Sequence, residues 1–208
     1  KTGGQILIEC LIKHSIDRVF CVPGESYLAA LDAFYDFRKK IKLINAKHEA
    51  TASNMAEAYG KLTGKPGVAF VTRGPGACHA SIGVHIAKQD STPMVLFVGQ
   101  VATKMYGKGS FQEIDYVSMF SKVAKKSFQI SKVESIEKLI HKAFQISNSG
   151  RKGPVVIALP EDILVKTTMQ KYLSVFHIKK AMVNKDQILK IKSLLDLSKK
   201  PLIILGGT

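Results

Sequence analysis

The sequence predicts an α/β protein: a doubly wound, mostly parallel sheet with helices on both faces, plus the truncated start of a second α/β domain. Three observations carry this. Runs such as "GVAFVT" (67–72) and "PMVLFVGQ" (93–100) are almost continuously apolar, as strands covered on both faces are. Amphipathic stretches of helical length separate them. The joints are rich in Gly, Pro and polar residues.

In chain order, residues 2–14 read as a helix and "RVFCVPG" as a short buried strand ended by Pro23 and Gly24. "SYLAALDAFYDF" is amphipathic, with Leu28, Leu31, Phe34 and Tyr35 on one side. Residues 41–46 read as a strand. Residues 49–62 read as a helix, since Ala52, Met55, Ala56 and Tyr59 recur at three- and four-residue spacing. After the strand at 67–72 come a helix in "GACHASIGVHIAKQ", the strand at 93–100, a helix over 134–148 and a last strand in "GPVVIALP" (153–160). Right-handed crossovers would wind these into one domain, 1–164. From 165 to 185 the pattern weakens into a Lys-rich linker. Then "DQILKIKSLLDLSKK" reads as a helix and "PLIILGG" as a buried strand, an incomplete second unit over 186–208.

The 208 residues are 46% hydrophobic, enough for a sizeable core, and no run approaches the roughly 18 apolar residues of a membrane span. Neither a starting methionine nor a signal-peptide pattern is present, so a portion of a longer chain is expected. Cys10, Cys21 and Cys78 form no CxxC pair; reduced, mostly buried thiols and a cytoplasmic location are expected. The net charge of +15 divides into +4 over 1–100 and +11 over 101–208. The excess is lysine spread over helix faces and loops, without the interleaved arginines and aromatics of a base-stacking platform, so no nucleic-acid partner is expected.

Familiar motifs fail. "HEATA" begins like HExxH but has Ala52 at the second ligand position, and no histidine pair stands at metal-ligand spacing with a carboxylate, so no protein-built metal site is expected. "GPGACHAS" keeps two glycines of GxGxxG, with His79 at the third position, and neither a P-loop nor a GxSxG elbow occurs. What remains is four strand-end loops: "VPGES" (22–26), "KHEA" (47–50), "TRGPGA" (72–77) and "GKGSFQEIDY" (107–116). A doubly wound sheet gathers such loops along one edge, where Gly24, Gly74 and Gly76 would let backbone approach a flat ligand. Glu49 has two readings there. It is a first-turn acid favoured by the helix dipole, or a functional carboxylate at the carboxyl edge of a parallel strand.

"VFCVPGESYLAALDAFYD", "KHEATASNMAEAYGKLTGKPGVAFVTRGPGACHASIGVHIAKQDSTPMVLFVGQV", "FQEID" and "SGRKGPVVIALPEDIL" together resemble the pyrimidine-binding N-terminal domain of thiamine-diphosphate enzymes, closest to the acetolactate synthase-like group. The blocks run in order over about residues 2–164, and the tail resembles the start of that family's central domain. The resemblance implies that Glu49 hydrogen-bonds ring nitrogen N1′ of the cofactor's aminopyrimidine. The imino form so favoured takes the proton from thiazolium C2. It implies cofactor-binding roles for Pro23, Gly24 and Glu25, for Gly74, Pro75 and Gly76, and for His79. Gln112 would face the reaction centre as a second catalytic residue, Phe111 would line the substrate approach, and Arg151 matches an arginine that contacts FAD in flavin-containing members.

The resemblance also implies a 2-oxo acid substrate and a homodimer or homotetramer, because family active sites form between subunits. Diphosphate and Mg²⁺ are held in the family by a C-terminal domain with a GDG-type motif, which these 208 residues lack; alone they are expected to be inactive. Departures are His79 in place of the family's asparagine, Lys47 in place of arginine, and Glu161 where acetolactate synthases usually carry lysine. The glutamate at 161 favours a paralogue using a different 2-oxo acid or acceptor. The alternative is a non-catalytic remnant or oligomerisation module that keeps the fold. The small residues of 49–62 and 75–89 would suit a helix face packed on a partner, with Ala56 on that face, or tight packing on the sheet alone.

Overall fold

A computed structural model describes residues 1–169 and 183–204. Six strands form one all-parallel sheet in the order β2-β1-β3-β4-β6-β5. They are β1 (Arg18–Cys21), β2 (Lys42–Asn45), β3 (Gly67–Val71), β4 (Met94–Gln100), β5 (Lys126–Gln129) and β6 (Pro154–Pro160). The predicted doubly wound α/β class is the observed one.

Alternation along the central strands divides the core. Val68, Phe70, Val95, Phe97, Val155 and Ile157 face one side, against α1 (Gly3–Lys13), α2 (Leu28–Asp36) and α6 (Ile136–Asn148). Ala69, Val71, Leu96, Val98, Val156 and Ala158 face the other, against α3 (Glu49–Thr63), α4 (Pro75–Gln89) and the short α5 (Tyr116–Met119). Burial on both faces explains why these strands read as unbroken apolar runs.

Local chemistry sets the helix ends. Thr2 and Gln5 form a capping box that starts α1, and Gly64, at φ 68°, ends α3. His48 caps α3 by accepting the Ala50 N–H at its Nδ1, 3.2 Å away. Residues 166–168 run back beside the N-terminus, where Thr2 bridges Thr167 and Gly3 N–H donates to Lys166 O at 2.9 Å.

The structure differs from the sequence reading in four places. First, Leu28 and Tyr35 of α2 are 62% and 66% exposed, while Ala30, Ala33 and Phe34 are buried. Gly4 of α1 lies so close to α2 that an added Cβ would sit 2.2 Å from Ala29 O, and such an approach selects small residues. Second, β5, α5 and the short α7 (Glu161–Val165) went unpredicted. Third, Ala56 is fully buried against β3, and Ala52, Ser53, Ala77, Ala80, Gly83 and Ala87 are buried too, so these small residues join α3, α4 and the sheet. Ala56 is not on a free face. Fourth, residues 201–204 are exposed and without regular structure, and among the described residues no strand pairs with them. The remainder of the expected strand, 205–207, lies outside the described residues, as do 170–182 of the linker. The helix α8 (Lys185–Leu197), capped by Asn184, forms where expected and buries none of its residues.

All three cysteines are free, with Cys10 and Cys21 buried and Cys78 exposed. Among the described residues no helix is long and apolar enough to cross a membrane.

Helix and strand approach very closely at Gly67, where an added Cβ would lie 1.8 Å from Ala56 O. Gly67→Ala should destabilise the domain by about 3 kcal/mol or more in urea unfolding, since backbone stands in the way. Gly107, with nothing within 4 Å but φ at 72°, should lose only about 1–2 kcal/mol as alanine. Equal midpoints for the two variants would contradict this packing.

Candidate functional site

Because every strand is parallel, the loops leaving their carboxyl ends share one edge. Strand order reverses around β1, the topological switch point of such sheets. There the loops after β1 (22–26), β2 (46–48) and β3 (72–74) meet.

Glu49 opens α3 directly after the β2 loop, so it stands both in a first helical turn and at the carboxyl edge of a parallel strand. Its side chain is only 14% exposed. His79 on α4 donates Nδ1–H to Glu49 Oε2 at 2.9 Å, a direction fixed by the acceptor-only carboxylate. The His79 ring stacks on His48 at 4.5 Å. Glu49 Oε1 lies next to Gly76, where an added Cβ would meet it at an ordinary contact distance of 3.5 Å but would press on Thr72 Cγ2 at 2.9 Å. One oxygen is therefore anchored, and the other lies beside a bare Cα.

Gly74 starts α4 at φ 60°, ψ −116°, a conformation open to glycine. Its N–H donates to the Tyr116 hydroxyl at 2.6 Å, and that hydroxyl donates to Gln112 O at 3.3 Å. Burial pushes the Tyr116 hydroxyl up to about 12, so it stays a neutral donor. Gln112, at φ 61°, packs so near Gly74 that an added Cβ would sit 2.7 Å from its own Cβ. Phe111 beside it is 73% exposed. Glu113 laces this loop by accepting Gly107 N–H at 2.6 Å and Ser110 N–H at 3.1 Å.

The β1 loop leans on the β3 loop. A Cβ on Gly24 would meet Thr72 Cβ at 2.6 Å, and Ser26 Oγ is 2.9 Å from Thr72 Oγ1. The close approach that Gly24, Gly74 and Gly76 serve is thus largely between loops and side chains of the chain itself. Pro23 and Pro75 are exposed at the rim. The buried Arg73 donates to Glu25 at 2.5 Å and to Glu161 at 3.5 Å. Its Nε is buried without a hydrogen-bond partner among the described residues.

Of the residues singled out in the sequence, Glu49, Gly74, Gly76, His79 and Gln112 are brought into one chain of contacts, flanked by Pro23, Gly24, Glu25, Pro75 and Phe111. Arg151 is not among them. It precedes β6 at the amino edge of the sheet, where it donates to Ser91 Oγ at 2.7 Å and Gln89 O at 3.0 Å. Sequence reasoning missed Arg73 and Tyr116, whose importance lies in long-range pairing. Among the described residues it also missed two groups whose ligand-type atoms lie within 4.8 Å of one another: His48, Glu49 and His79, and Cys10, Glu137 and His141.

The family model described as "Thiamine pyrophosphate enzyme, N-terminal TPP binding domain" matches residues 1–119. The acetolactate synthase large subunit of Buchnera aphidicola subsp. Schizaphis graminum is 38% identical over 99% of this chain and 37% of its own length. Acetolactate synthase isozyme 3 large subunit of Escherichia coli K12 is 36% identical over 99% of this chain and 37% of its own length. The mitochondrial acetolactate synthase of Schizosaccharomyces pombe is 36% identical over 99% and 32%. The chain spans about a third of the length of these relatives. With over half its residues inside the family model and near-complete coverage by these relatives, the chain belongs to the thiamine pyrophosphate enzyme family as an acetolactate synthase-like N-terminal TPP-binding domain.

Proposed function

We propose that the chain supplies the pyrimidine-binding half of a thiamine-diphosphate-dependent enzyme that decarboxylates a 2-oxo acid, such as pyruvate, and passes the acyl unit to an acceptor. The Glu49 carboxylate supports this most. It is mostly buried, held by His79 through one oxygen, and its other oxygen faces the bare Cα of Gly76, a fit to a flat ring with a nitrogen at its edge.

When bound, thiamine diphosphate supplies the carbon nucleophile. Glu49 accepts and returns a proton at the aminopyrimidine ring nitrogen, and His79 keeps its carboxylate turned toward that nitrogen. The Gly74–Gly76 backbone, tied down by Tyr116, forms a wall of the ring site, with the Pro23–Glu25 loop beside it. Gln112 and the exposed Phe111 face the substrate. Diphosphate and Mg²⁺ are held by a further domain, and Arg151 serves FAD in any flavin-binding form. The active assembly is a cytoplasmic homodimer or homotetramer.

Glu161 pairs with buried Arg73 rather than offering the lysine of acetolactate synthases, which favours a different 2-oxo acid or acceptor. Arg73 and its two carboxylates place a negative balance beside the Glu25 loop.

Three outcomes test this reading. The purified 208-residue chain with cofactor and Mg²⁺ should release no CO₂ from pyruvate; turnover would sink the division of the site between domains. In a longer, active form, Glu49→Gln should lower turnover by about 100-fold or more with an unchanged circular dichroism spectrum. Near-native turnover would return Glu49 to a helix-dipole role. Tyr116→Phe leaves the buried Gly74 N–H without its acceptor and should cost about 1–3 kcal/mol in urea unfolding. A native midpoint would show that Tyr116 does not hold this wall.

A further inference from the structure

On the opposite face of the sheet from Glu49, α1 and α6 pack together around a group of side chains unlike the rest of their interface. Leu7, Leu11, Ile140 and Phe144 fill that region as ordinary core residues. Between them lie Cys10 (2% exposed), Glu137 (5%) and His141 (3%), with His14 beside them. Glu137 and His141 stand four residues apart on one face of α6, and His14, four residues after Cys10, caps the C-terminal end of α1. Histidine pairing alone does not reveal this; the sequence signal is two mixed i, i+4 pairs.

We propose that Cys10, Glu137 and His141 form a binding site for a divalent transition metal, Zn²⁺ by its donor chemistry, that clamps α1 to α6. One thiol, one carboxylate and one imidazole are the donor types Zn²⁺ takes. Their ligand atoms lie within 4.8 Å of one another. His141 Nε2 is 3.5 Å from Glu137 Oε1. Two ligands at tetrahedral angles around zinc lie about 3.3–3.7 Å apart, so this edge is already at bonding separation.

The surroundings agree. His141 Nδ1 is 2.6 Å from His14 Nε2, and the His14 ring lies flat on Phe144 at 4.3 Å. A metal-bound histidine characteristically has its other ring nitrogen held in this way. Binding releases the Cys10 thiol proton to solvent. The dication then balances one thiolate and one carboxylate, so the buried site carries no net charge. Lys13, now 3.1 Å from Glu137 Oε1, is displaced; it sits at the end of α1 with a side chain 34% exposed and can turn to solvent. The exposed Lys13 and half-buried His14 bring solvent to that same helix end, the side from which the ion and a fourth, water ligand would enter. Without a metal, leucines would pack these positions at least as well, since buried ion pairs are rarely better than apolar replacements.

The test is Co²⁺ titration of the chelator-stripped, reduced protein, followed by zinc displacement. One equivalent should bind with a near-ultraviolet thiolate-to-cobalt charge-transfer band. The band should vanish in Cys10→Ala and persist in Cys78→Ser and in His79→Asn, which removes the other histidine–carboxylate group. Zn²⁺ in 100-fold excess over its Kd should raise the Tm by at least about 5 °C. If Cys10→Ala does not fold, Glu137→Gln carries the test and should weaken Co²⁺ binding at least about tenfold. A native protein without the band, a band that survives Cys10→Ala or depends on Cys78, or unchanged affinity in Glu137→Gln would overturn the site.

Discussion

The site depends on the parallel pairing of β1 with both β2 and β3. Arg18 to Cys21 register with Lys42 to Asn45 on one side, and Phe20 and Cys21 with Ala69 and Phe70 on the other. Three strands therefore end at one level, and their loops leave side by side. Val22 N–H extends the ladder to Phe70 O at 3.3 Å, and Ala46 N–H to Cys21 O at 2.7 Å. A slip of one residue would turn each inward side chain outward and carry Glu49 away from Gly76. The short β1, four residues long, is thus the element on which the geometry of the whole edge turns.

Glycine and small side chains then set the depth. Gly76 lets the start of α4 close on Thr72, whose Cγ2 would lie 2.9 Å from an added Cβ, and Gly83 lets α4 approach α3, since an added Cβ would sit 2.6 Å from Ser53 Oγ. The α3–α4 pair therefore holds Glu49 and His79 on two rigid helices rather than on loops. That is the arrangement expected where a hydrogen bond must be kept at fixed length.

The central strands were legible because burial on both faces leaves only one kind of residue to use. β5 was not, because "KSFQ" at the sheet edge is only partly buried and mixes polar with apolar positions. α5 and α7, four and five residues long, are too short to show a helical period. On α2 bulk does not mark the buried face, because close helix contact beside Gly4 demands alanine there. At the site, Glu49 and the glycines stood out by position and composition. Tyr116 and Arg73 did not, because their partners are 42, 48 and 88 residues away in the chain.

Arg73 shows how such distant pairing shapes the edge. An unpaired guanidinium this deeply buried would be strongly destabilising. Glu25 reaches it from the β1 loop and Glu161 from the start of α7, so a single cation ties two separate carboxyl-edge segments to the β3 loop. A lysine in place of Glu161 would set two cations together and leave Glu25 as the sole counter-charge of this trio. The glutamate is therefore coupled to the position of the Glu25 loop through Arg73. Under the proposed function, the same substitution that alters charge at the rim also fixes the loop that packs beside the cofactor ring, so specificity and cofactor placement at this edge are linked through one buried arginine.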